Sequence, residues 1–169
     1  MASEIDDVLN DVLDREGWPT YGVHPNDKGG PTKGGITLRT LESWRHRRCT
    51  RSELQRLSKG EALAILRRRY VETNGIHKLT GHLQAQVVDD AVLSGPYLAA
   101  QDLQHALGTV TVDGIIGSRT LGAIESCDVD ELGRRLAVTR ATRLARHVQS
   151  NADQLVFLTG WITRALSFV

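Results

Sequence analysis

Residues 3–37 read Ser3-Glu-Ile-Asp-Asp-Val-Leu-Asn-Asp-Val-Leu-Asp-Arg-Glu16-Gly-Trp-Pro-Thr-Tyr21-Gly-Val-His-Pro-Asn-Asp27-Lys-Gly-Gly30-Pro-Thr-Lys-Gly-Gly35-Ile-Thr37, and the stretch changes character halfway. Ile5, Val8, Leu9, Val12 and Leu13 recur at helical spacing and make one apolar stripe. Ser3 and Asp6 resemble a capping arrangement at its start. Gly17 and Pro19 predict its end. Glu16 follows Val12 by four positions and Leu13 by three, so the spacing places it on the core-facing stripe at the helix C-terminus. Partial desolvation and the negative end of the helix dipole would both raise its pKa, which suits a general acid. The spacing leaves a second reading open, an end-of-helix Glu paired with an arginine.

From Gly17 to Gly35 the pattern is no longer helical. Six of the 16 glycines and three of the four prolines fall there. This predicts tight turns and an irregular loop or short hairpin. A loop of this length inside a compact domain usually carries function. Trp18 and Tyr21 offer flat faces for stacking on a sugar, or simply core packing. Asp27 offers a second carboxylate, with an Asx-turn as its structural alternative. Thr32 and Thr37 offer hydroxyls.

Helices dominate the remainder. Thr37 reads as an N-cap for Leu38–Arg48, and Ser58 with Glu61 as a capping box before Ala62, Ile65, Leu66 and Tyr70. Gln84–Leu93 is a mostly apolar helix ended by Ser94-Gly95-Pro96. Pro96 suits the first position of a helix through Leu107, with Gly108 after its end. Val110–Gly117 is strand-like, with an Asp113-Gly114 turn. Ser118 starts another helix, Asp128 caps a long one, and the last runs from about Ala152 to Phe168. Leu155–Val169 is apolar but too short to span a membrane and contains Arg164, which favours a terminal core helix.

The 169 residues suit one domain, or one with a small appendage. Lys and Arg number 21 against 20 Asp and Glu, so no global signal for nucleic acid exists. The charge is uneven, however. Met1–Glu16 holds six acids and one base; Arg39–Arg69 holds ten bases and three acids. The basic stretch could face an anionic polymer or form solvated helix faces. Cys49 and Cys127 cannot frame a disulfide scaffold and lack the surroundings of a thiol amidase. The six histidines show no metal-ligand spacing, so neither metal nor cofactor is expected. Ser94 lacks a Gly-x-Ser-x-Gly frame. The acidic N-terminus is unlike a secretory signal, which predicts synthesis in a cytoplasm.

Three segments carry a family resemblance. Glu16-Gly17 followed by Asn26-Asp27-Lys28-Gly29-Gly30-Pro31-Thr32-Lys33-Gly34-Gly35-Ile36-Thr37 resembles the signature of glycoside hydrolase family 108, the phage and bacterial endolysins and lysozyme-like muramidases. Ala91-Val92-Leu93-Ser94-Gly95-Pro96 resembles that family's Ala-Val-Asn-Ser-Gly-Pro. Leu103-Gln104, Leu107-Gly108, Val112-Asp113-Gly114-Ile115-Ile116-Gly117 and Thr120-Leu121 resemble its C-terminal peptidoglycan-binding region. Trp18-Pro19, Lys28, Lys33 and Leu93 depart from the family pattern.

The resemblance implies an all-α, lysozyme-like fold with a Gly-rich irregular loop or hairpin near the cleft. It implies a catalytic lobe over residues 1–95 and a peptidoglycan-binding part over 96–169, packed into one domain. Glu16 would be the general acid, cleaving between N-acetylmuramic acid and N-acetylglucosamine. Asp27 is the candidate second carboxylate, and Thr32 is placed like the water-positioning hydroxyl of phage-type lysozymes. Trp18, Tyr21, Gly30, Gly35, Thr37 and Ser94 are the expected substrate contacts. The expected setting is a monomeric phage endolysin, exported with the help of a separate holin and lysing the cell from the periplasm. A lytic transglycosylase using the same Glu, or a non-catalytic murein-binding module, are the alternatives.

Overall fold

The computed structural model describes residues 4–22 and 30–168. The chain forms two compact units, Met1–Arg69 and Tyr70–Val169.

In the first unit, helix α1 (Glu4–Arg15) turns Ile5, Leu9, Val12 and Leu13 inward. Strands β1 (Tyr21–Gly22), β2 (Thr32–Lys33) and β3 (Ile36–Thr37) form an antiparallel sheet in the order β1-β2-β3. Helices α2 (Leu38–Arg45), α3 (Arg51–Gln55) and α4 (Lys59–Leu66) follow, and α4 packs on α1. Leu9, Leu13, Ile36, Leu41, Leu54 and Leu57 are fully buried, each contributing about 1.5–3 kcal/mol by the usual transfer scale.

Helices α2 and α4 start at their expected caps, while the Ser3 cap expected for α1 lies outside the described residues. Thr37 accepts from the Thr40 N–H, and Ser58 from the Glu61 N–H. The expected box at Ser58 is only half formed, because Arg45 takes both Glu61 oxygens at 2.8 and 2.7 Å. A complete capping box stands instead at Thr50 and Glu53. Helix α2 stops at Arg45, short of the expected Arg48, because His46 turns left-handed (φ 53°).

The basic stretch is largely tied down within the unit. Arg45 also reaches Glu53, Arg47 bonds Glu53 at 2.6 Å, and Arg67 pairs with Asp6. The Arg47 hydrogen bond, aided by the Thr50 backbone, holds the Glu53 carboxyl down to about 2.

In the second unit, a 3-10 turn (Ile76–Lys78) precedes α5 (Gly81–Ser94), α6 (Pro96–Leu107), α7 (Ser118–Glu125), α8 (Val129–Ser150) and α9 (Leu155–Leu166). Helices α5, α6 and α8 pack on one another, and α9 packs on α8. Pro96 and Gly108 bound α6 as expected, and Asp128 caps α8 by accepting from the Glu131 N–H.

Two expectations are corrected here. Val110–Gly117 contains no strand; it is an irregular loop held by side chains. Helix α9 is not a core helix throughout, since Leu155, Val156 and Phe157 are more than half exposed at its start. No helix among the described residues is long and apolar enough to cross a membrane. The architecture is all-α with one small sheet, the lysozyme-like class.

Candidate active site

The first unit assembles its site where α1 ends. The Glu16 N–H still bonds the Val12 carbonyl at 3.0 Å. Gly17 then takes φ +77°, its N–H bonds the Asp14 carbonyl, and the Trp18 N–H reaches back to the Leu13 carbonyl at 3.0 Å. These paired bonds are a Schellman termination, with Glu16 as the last cap and Gly17 in the left-handed position. Such an ending brings the residue after the glycine against the helix side chain five positions earlier, here Trp18 near Leu13.

Opposite this helix end lies the turn of the β2–β3 hairpin. Lys33 pairs with Ile36, leaving Gly34 and Gly35 as a two-residue loop with φ +54° and +74°. Both central residues with positive φ are the pattern of a type I′ turn, for which Gly-Gly is suited. A Cβ on Gly34 would stand 2.7 Å from the Trp18 ring and 3.2 Å from the Leu13 side chain. A Cβ on Gly35 would stand 3.2 Å from Glu16 Oε2 and 3.3 Å from its Cγ. The bare turn therefore fits closely over the helix end, and the Glu16 carboxylate rests against Gly35.

Glu16 is exposed, which corrects the expectation that it would be desolvated on the core stripe. The reason is local. Regular helix ends at Arg15, and the Schellman turn takes the chain away from the apolar stripe. The closeness to an arginine left open by the spacing is not what the geometry shows; the contact is with the glycine turn.

Lys33 anchors the hairpin. Its side chain is 9% exposed, and its ammonium donates to the Gln55 carbonyl at 2.7 Å and the Leu57 carbonyl at 2.9 Å. It also sits 4.7 Å above the Trp18 ring, a cation–π distance. Trp18 is half-buried, with Lys33 over its ring and Gly34 at its edge. Tyr21 pairs with Lys33 across β1 and β2, and is also half-buried.

Thr32 and Thr37 are direct cross-strand partners, so their side chains share one face of the sheet. Their hydroxyls differ in use. Thr37 caps α2 and hydrogen-bonds the Thr40 hydroxyl at 2.9 Å, while the Thr32 hydroxyl is unengaged among the described residues. Gly30 has φ +76° and leads into β2. Asp27 lies outside the described residues.

Ser94 belongs to the second unit. It donates to Asp90 at 3.0 Å and accepts from Arg143 at 2.8 Å. That pair is one corner of a buried ionic cluster. Arg140, fully buried, donates to Asp89 at 2.8 Å and lies 3.1 Å from Asp90. Arg143 binds Asp90 and Asp102, and Arg164 binds Asp89. Burial, with repulsion from Asp90, pushes the Asp102 carboxyl up to about 7 against the pull of Arg143.

Sequence reasoning passed over this cluster, although its signals are present. Asp89-Asp90 interrupts an apolar helix, and Arg140 occupies the stripe Leu132, Leu136, Leu144, Val148.

The glycosyl hydrolase 108 family model matches residues 9–95, and a predicted peptidoglycan domain matches residues 98–166. The chain is similar to the structure of Brucella abortus SagA, with 30% identity over 97% of this chain and 94% of that one, at TM-score 0.74. No curated protein matches it. The chain therefore belongs to glycosyl hydrolase family 108, a peptidoglycan hydrolase by its two matched regions.

Proposed function

We propose that this chain is an N-acetylmuramidase, cleaving the β-1,4 bond between N-acetylmuramic acid and N-acetylglucosamine with Glu16 as general acid. The observation that carries the reading is the exposed Glu16 carboxylate at a helix end, resting against Gly35 of the hairpin turn. In its protonated form, Glu16 donates a proton to the glycosidic oxygen. The departing sugar leaves an oxocarbenium-like centre, which a carboxylate or an activated water must meet on the opposite face. Thr32 is the water-positioning candidate, favoured over Thr37 because its hydroxyl is not committed to a cap. Asp27 is the candidate second carboxylate. Carboxyl groups about 5–5.5 Å apart would direct retention, and about 6.5–9.5 Å inversion. Trp18, Tyr21, Gly30, Gly35 and Thr37 stand as proposed substrate contacts in the first unit, and Ser94 as one in the second.

In this reading, residues 96–169 hold murein while the first lobe cuts it. The wider setting we infer is a monomeric endolysin that lyses a bacterial host from the periplasm, reached through a holin.

The test is Glu16→Gln with mass spectrometry of digested murein. The variant should keep its fold and murein binding while turnover falls by at least about 100-fold, the lower range for general acid catalysis. Wild-type products should carry reducing ends. Anhydro ends would instead identify a transglycosylase, and full lysis by the variant a non-catalytic binding module.

A further inference from the structure

The second unit carries a groove that no step of the hydrolysis uses. It opens between α6 and α8, encloses about 360 Å³, and is lined in part by Leu98, Asp102, His105, Val138, Arg143 and Arg146. Sites for small ligands span about 300–1,000 Å³. The guanidinium at its base is already engaged, because Arg143 binds Asp102 at 2.7 Å and Asp90 at 2.9 Å. Arg146 and His105, each three residues further along its helix, have no side-chain partner among the described residues. Leu98 is 38% and Val138 61% exposed, giving the groove apolar walls.

We propose that this groove takes a short peptide bearing free carboxylates, the chemistry of a murein stem peptide rather than of its glycan strand; the proposal rests on the peptidoglycan reading above. Three features favour the peptide. An unpaired guanidinium matches a carboxylate with two parallel donors. The exposed Leu98 and Val138 side chains suit small apolar groups such as alanine methyls. No Trp, Tyr or Phe lines the groove, so it lacks the broad platform on which a sugar ring stacks.

The experiment titrates the isotope-labelled full chain with three probes followed by NMR. These are the tripeptide Ala-γ-Glu-diaminopimelate, its fully amidated form, and a peptide-free chitooligosaccharide. The tripeptide should shift backbone amides within 98–105 and 138–146. Amidation should weaken binding at least tenfold, and Arg146→Gln, at an exposed position, should do the same without changing Tm. Equal binding of the amidated peptide, equal binding by the variant, shifts confined to other residues, or no binding at millimolar peptide would each overturn the proposal. The tripeptide contains no glycosidic bond, so its binding does not depend on Glu16. An active Glu16→Gln chain that still binds tripeptide removes only the hydrolytic reading, and an inactive one that binds none removes only the groove.

Discussion

Gly34 and Gly35 occupy the same turn but answer to different neighbours. Alanine at either must adopt a left-handed backbone, at about 1–2 kcal/mol. Gly34→Ala adds a clash with the Trp18 ring at 2.7 Å, so it should cost more stability than Gly35→Ala. Gly35→Ala meets the Glu16 carboxylate instead, a flexible group that can move. We expect that variant to lose turnover out of proportion to its Tm, and paired thermal melts and murein-digestion rates check the contrast. Equal losses of both quantities in the two variants would refute it. The identity of Glu16 as the residue at the helix end was legible from the apolar stripe and Gly17. Its exposure was not. Periodicity extrapolates a helix past its last turn, whereas a Schellman ending rotates the final residue away. Lys33 was likewise unreadable, since its partners are carbonyls 22 and 24 residues distant.

At the scale of elements, the loop after α6 shows what the motif Gln104 … Val112-Asp113-Gly114-Ile115-Ile116-Gly117 … Thr120 is for. The Gln104 amide nitrogen donates to Asp113, the Ile115 carbonyl and Thr120, and its oxygen accepts from the Asp113 and Gly114 N–H groups. The bond from Gln104 also holds the Asp113 carboxyl below its usual range. Asn74 donates to the Gly114 carbonyl, and Gly114 lies against Tyr97, leaving no room for a Cβ. A single buried amide thus replaces the ladder that a strand would have supplied, which is why alternating valines misread as β-structure. Gln104→Leu leaves the two loop N–H groups without their acceptor, at about 1–3 kcal/mol for each one that stays buried. Hydrogen exchange of residues 109–117 should accelerate well before the rest of the unit. Unchanged protection there would sink the account. The helices themselves were readable because caps and breakers are local signals, as at Thr37, Pro96, Gly108 and Asp128.

Across the molecule, the second unit buries charge, whereas the buried side chains of the first unit are, among the described residues, aliphatic apart from one anchored lysine. Asp102 carries a testable consequence of that choice. Its folded-state pKa, about 7, stands above the value near 3.9 of an unfolded chain. Between those pH values the unfolded chain releases the proton while the folded one keeps it. The Asp102 contribution is therefore fully present below pH 4 and is lost as pH rises towards 7. Denaturant melts of the wild type and Asp102→Asn should show the wild type losing stability relative to the variant over that window. A difference that does not change with pH would refute the assignment. The ionic cluster also bears on how the helices find their places. One turn either side of Arg140 along α8 stand Leu136 and Leu144. A slide of α8 by a single turn would set a leucine against Asp89 and Asp90 and strand the guanidinium in an aliphatic layer. Breaking a buried ion pair in that way costs about 3–5 kcal/mol, whereas exchanging one aliphatic side chain for another of similar volume usually costs less than about 1.5 kcal/mol. The alignment of this bundle is thus written in charge, and its leucines alone would leave that alignment free to slip.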